Sequence, residues 1–122
     1  MTSRDPLQQE KWNSIINKLA HQFADGDLLN LEAIIYLIGL RELGQGQRKY
    51  SKEDKIALMH IAICRLLEPY GYYSFEYVDN EGWPHYKLEK ALPQLKPGEQ
   101  TVLIKEAIIS YFEDNAPEFL VN

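Results

Sequence analysis

A single cysteine, Cys64, is all the thiol this 122-residue chain carries. One thiol cannot close an intrachain disulfide, so the fold has to stand on its apolar core, and the composition suits a reducing compartment. Long hydrophobic runs are also missing. The most apolar stretch, Leu28 to Leu40, is interrupted by Asn30 and Glu32 and falls short of the about 20 apolar residues that a helix needs to cross a bilayer. Met1-Thr2-Ser3-Arg4-Asp5-Pro6 lacks the basic start and apolar continuation of a secretory leader. The expectation is a cytoplasmic protein with no membrane segment.

Positive charge is in deficit. Thirteen Lys and Arg stand against 18 Asp and Glu, for a net charge of −5. An acidic surface repels phosphate backbones and anionic headgroups, so nucleic acid is not the expected partner. Catalytic signatures are missing too: there is no HExxH pair, calcium loop or Ser-His-Asp order. Gly44-Gln45-Gly46 with Lys49 lacks both the Gly-Lys-Ser/Thr ending and the preceding strand of a phosphate loop. The three histidines, His21, His60 and His85, are scattered along the chain. The reading is of no catalytic set, no metal site and no cofactor, which favours a non-enzyme and leaves the question open.

What is present is ordinary globular material, 45% hydrophobic and 25% charged, enough to bury a core in one domain spanning 1–122. Asp5, Pro6 and Gln8 spell a helix start. Trp12, Ile15, Ile16, Leu19 and Phe23 then share one face, and Asp25-Gly26-Asp27 breaks the helix. A second helix is predicted over Leu31–Leu43, capped by Asn30 and stopped by Gly44. It is apolar almost all round, which predicts burial on most sides. Gly39 in its middle costs about 1 kcal/mol relative to alanine, which a close helix–helix approach would explain.

A third helix starts at Ser51, with Asp54 completing a capping box, and ends near Glu68 before Pro69 and Gly71. Its predicted main face is Ile56, Met59, Ile63, Leu66 and Leu67, with Leu58 and Ile61 opposite. Tyr73, Phe75 and Tyr77 then alternate in a β pattern, Asp79–Gly82 reads as a turn, and Trp83–Leu88 returns as a second strand. Pro84 confines that return to an edge or a strand start. A fourth helix follows from about Glu99 to Glu113, with Val102 and Ile109 on its far side and a non-helical tail from Asn115. The fold class is therefore α+β, predominantly α. It is a bundle of about four helices in the order α-α-α-β-β-α with one antiparallel hairpin at about 72–89.

Three functional readings follow. The first is a non-enzymatic protein-interaction or structural module that presents its aromatic hairpin, with Tyr73, Phe75, Tyr77, Trp83 and Tyr86 as the partner-binding residues. Tyrosine and tryptophan dominate interface hot spots, although cross-strand aromatic pairs also simply stabilise hairpins. The partner would be another protein or a second copy, since homodimers are the commonest oligomers. The second is a winged-helix-like DNA-binding module, drawn from three helices followed by a hairpin, with Arg41, Arg48, Lys49, Lys52 and Lys55 as its basic segment. The third is a small-molecule binder or enzyme with a pocket between the second and third helices and the hairpin, using His60, His85 or Glu32. His60 and Cys64 lie one turn apart, a spacing open to two metal ligands or a polarised thiol, but they border the apolar face and read as core. The segment from Lys55 to Leu88, Lys-Ile-Ala-Leu-Met-His-Ile-Ala-Ile-Cys through Gly-Trp-Pro-His-Tyr-Lys-Leu, resembles a group of small uncharacterised bacterial proteins. That resemblance implies no activity.

Overall fold

The computed structural model describes residues 6–24, 29–46 and 48–120. The Asp5 cap and the Asp25-Gly26-Asp27 break lie outside them. The order is helix α1 (Pro6–Phe23), α2 (Leu31–Leu43), α3 (Lys52–Leu67), a 3₁₀ turn (Glu68–Tyr70), strands β1 (Tyr73–Val78) and β2 (Pro84–Leu88), α4 (Pro97–Asn115) and a last 3₁₀ turn (Pro117–Leu120). This is the predominantly helical α+β order that the sequence predicts. Among the described residues no helix is long and apolar enough to cross a membrane. The chain falls into two compact units, one made of its two ends, up to Leu29 and from Pro93, and the other of Asn30–Leu92.

In the unit built from the ends, α1 packs with α4. Trp12, Ile15, Leu19 and Ala20 of α1 and Ala107, Ile108, Ile109, Tyr111 and Phe112 of α4 are buried. Full burial of one such aliphatic or aromatic side chain contributes about 1.5–3 kcal/mol. Phe23, predicted on the core face, lies at the helix end and is exposed instead. Ile109, predicted on the wrong side of its helix, is buried, because α4 is covered over more than one stripe. The tail is not the irregular segment that Pro117 suggests. Pro117–Leu120 makes a 3₁₀ turn held against α1, where Ser14 Oγ donates to the Phe119 carbonyl at 2.9 Å. The Phe119 ring sits 4.9 Å from that of Phe112.

In the other unit α2 packs on α3. Asn30 caps α2 by accepting the Ala33 N–H at 2.8 Å, and Gly44 ends it in the left-handed conformation at φ 70°. Ser51 and Asp54 form the reciprocal capping box of α3. The two helices meet closely at Gly39, where an added Cβ would press into the backbone of Leu58. Of the expected face Leu66 and Leu67 are buried, and the contact with α2 covers a second side of α3 as well. Leu58 and Ile61 are buried, while Ile56, predicted to lead the main face, is 62% exposed. Gly71, at φ 84°, turns the chain from the 3₁₀ segment into β1.

Candidate functional site

The hairpin is antiparallel, and its register pairs Tyr73 with Leu88, Ser74 with Lys87 and Phe75 with Tyr86. The register then slips: Glu76 is bulged out, and Tyr77 pairs with His85. Side chains alternate between faces along a strand, so the slip corrects the expected Tyr73-Phe75-Tyr77 row. Tyr73 and Phe75 share a face with Tyr86 and Leu88, whereas Tyr77 joins His85 on the other. The ring contacts agree. Phe75 meets Tyr86 edge-on at 5.9 Å, and Tyr77 stacks parallel on His85 at 4.5 Å.

Exposure separates the five residues expected to bind a partner. Tyr73, Trp83 and Tyr86 are half-buried. Tyr73 packs edge-on against His60 of α3 at 6.2 Å. The Tyr86 phenol is pushed up to about 12, first by burial and then by the carboxylates of Glu42 and Glu68. Phe75 and Tyr77 stand 49% and 52% exposed, and Val78 and Leu88, which were not singled out in the sequence, are each 55% exposed. Their signal was only that they continue the same short strands.

The turn is organised by Asp79. Its Oδ1 accepts the backbone N–H groups of Glu81 at 2.9 Å and Trp83 at 3.0 Å, and its Oδ2 lies 2.8 Å from Nε2 of His85. These bonds favour the charged form, so the Asp79 carboxyl is held below its ordinary 3.8, with the His85 contact the largest cause. Gln45 Nε2 donates to the Glu81 carbonyl at 2.7 Å and ties the turn to the loop after α2.

Between this turn and the first half of α3 lies an open cleft of about 420 Å³, lined among others by Arg48, His60, Asp79, Trp83, His85 and Tyr86. His60 and His85 thus come to one place, whereas Glu32 is exposed on α2 and is not part of the lining. His60 Nε2 also lies 3.5 Å from Cys64 Sγ. The thiol is fully buried and pushed up to about 11, chiefly by that burial, so at neutral pH it is a protonated core group and no nucleophile. Among the described residues no group of His, Cys, Asp and Glu could hold a metal ion.

Arg41, Arg48, Lys49, Lys52 and Lys55 are all exposed. Farther along α3, Arg65 is held by Glu42 at 3.3 Å and Glu68 at 3.4 Å. The unit that contains the hairpin supplies two helices before it, since α1 belongs with α4. No protein-family profile, curated protein or solved structure matches the chain.

Proposed function

We propose that this chain is a cytoplasmic, non-enzymatic protein-interaction module whose contact surface is the β1–β2 hairpin. One observation carries the reading: Phe75, Tyr77, Val78 and Leu88 hold large apolar side chains about half in water on one short hairpin. Single exposed hydrophobes are common, but a group on one small element is a typical mark of a contact surface. The group includes Phe75 and Tyr77 from the expected binding set. Tyr73, Trp83 and Tyr86 are half-buried, and Tyr73 and Tyr86 share their face with Phe75 and Leu88. The bonds around Asp79 hold the turn in one shape, which lowers the ordering cost of binding.

The test compares affinity capture by the full chain and by a Phe75→Ser/Leu88→Ser variant, with Ile56→Ser as an exposed apolar control on α3. The reading expects a stoichiometric companion with the wild type and the control, and its loss with the hairpin variant while the circular dichroism spectrum is unchanged. Equal capture by all three would overturn it.

A second reading, a small-molecule site, is favoured by the convergence of His60 and His85 on the cleft. It predicts ligand-dependent shifts of both imidazole resonances that are indifferent to Phe75→Ser/Leu88→Ser. A ligand screen that moves neither ring would dispose of it.

A further inference from the structure

Among the described residues the sheet has two strands only, so each strand has an outer edge. The phase of the ladder tells which backbone groups line those edges. Glu89 N–H donates to the Tyr72 carbonyl at 2.8 Å, and Asp79 N–H donates to the Trp83 carbonyl at 2.9 Å. In an antiparallel pair, residues whose backbone groups turn inward alternate with residues whose groups turn outward. His85, Lys87 and Glu89 therefore face β1, and Pro84, Tyr86 and Leu88 present their backbone groups outward. Pro84 has no N–H to present, so its place in the outward row leaves the β1–β2 ladder intact. On β1 the bulge at Glu76 interrupts the corresponding row, a common way of blunting an edge. The regular, open stretch is the end of β2, where Lys87, Leu88 and Glu89 are all exposed. No hydrogen bond to the outward groups of Tyr86 or Leu88 is formed among the described residues.

Resting on the hairpin as contact surface, we propose that the end of β2 pairs with the same strand of a second copy, antiparallel about a two-fold axis through Leu88. The charges select this register. A two-fold axis through Lys87 would set Lys87 against its own copy, and like charges directly opposite are destabilising. An axis through Tyr86 would place Pro84, without an N–H, opposite Leu88. An axis through Leu88 places Lys87 opposite Glu89 of the second copy, twice by symmetry, and brings the two exposed Leu88 side chains together. The paired groups are already presented. Glu89 Oε2 takes the Ser74 hydroxyl on the same face, which orients the carboxylate and leaves Oε1 for a lysine. The backbone bends at Lys90, so the pairing is short and the dimer is a weak, reversible one.

Sedimentation equilibrium of the full chain tests this. The wild type is expected to move reversibly with concentration from 14.2 kDa toward twice that mass. Lys87→Glu and Glu89→Lys each turn two attractive cross-strand pairs into repulsive ones and should weaken the dimer by about tenfold or more. Mixing the two variants should restore dimers, because the carboxylate introduced at position 87 then faces the ammonium introduced at position 89, and the native Lys87 of one faces the native Glu89 of the other. Misfolded variants would not recover on mixing. A wild type that stays at 14.2 kDa, single variants that dimerise as well as the wild type, or a mixture that stays monomeric each overturns the pairing. If the wild type is monomeric but Phe75→Ser/Leu88→Ser still abolishes capture of a different protein, the self-pairing fails and the hairpin reading stands. If capture is indifferent as well, both fail.

Discussion

Replacing Gly39 by alanine sets two effects against each other, and the structure says which is larger. Alanine is the better helix former by about 1 kcal/mol in a helix interior. At this position its Cβ would meet the Leu58 carbonyl oxygen closer than real Cβ contacts allow, with the Leu58 carbonyl carbon at 2.8 Å and the Leu58 Cβ at 3.1 Å. The obstructing atoms are backbone, so no side-chain rotation relieves them, and α2 has to move off α3. Overpacking of this kind costs about 1–3 kcal/mol, occasionally more. Moving the helices apart also loosens the packing of Leu58, which is fully buried. The upper part of that range applies, for a net loss of about 1–2 kcal/mol after the helix preference is subtracted. Urea denaturation followed by circular dichroism reads the change as a lower midpoint with little change in slope. Gly98 in α4 is the matched control: nothing lies within 4 Å of a Cβ there, so Gly98→Ala should leave stability unchanged or raise it by up to about 1 kcal/mol. If Gly39→Ala stabilises the protein as much as Gly98→Ala, the close approach of α2 and α3 is wrong.

Three further expectations concern single groups. Cys64, fully buried with its thiol pushed up to about 11, should resist a thiol reagent such as DTNB at neutral pH and react only as the protein unfolds in urea; fast labelling of the native chain would contradict its burial. Asp79 has a depressed folded pKa, so its contribution to the turn is present above the ordinary value of 3.8 and is lost as pH falls through the lower folded value; NMR should show the Glu81 and Trp83 amide resonances changing only in that strongly acid range, and a midpoint above 3.8 would refute the bonding scheme. Ser51→Ala removes the α3 cap that accepts the Asp54 N–H and should cost about 1 kcal/mol in urea denaturation; no change would mean that the capping box adds nothing.

Local chemistry was readable from the sequence wherever it is decided by neighbours. The bounds and both caps of α2, the Ser51–Asp54 box and the strand start at Pro84 follow from residues within one turn of each other. Gly39 was readable too, because a glycine in so apolar a helix needs a close neighbour to explain it. The face of α3 was readable only in part: Leu66 and Leu67 are buried as expected, but the helix carries apolar residues on both sides, and the contact at Gly39 takes Leu58 in while Ile56 stays out. Nothing in Tyr73–Val78 announces the bulge at Glu76, which carries no glycine or proline, so simple alternation put Tyr77 on the wrong face. The aromatic concentration was visible, but not its division into supporting and exposed rings, which depends on what α3 covers. That His60 and His85 line one cleft while Glu32 does not is likewise a tertiary fact.

The hairpin is proposed as the place where this protein meets its partner. Amide hydrogen exchange on the full chain, alone and within the complex in which it is recovered, locates that contact. Added protection is expected to concentrate in Tyr73–Leu88, with α1 and α4 exchanging as they do in the isolated chain. Protection confined to α1 and α4, with the hairpin unchanged, would contradict it.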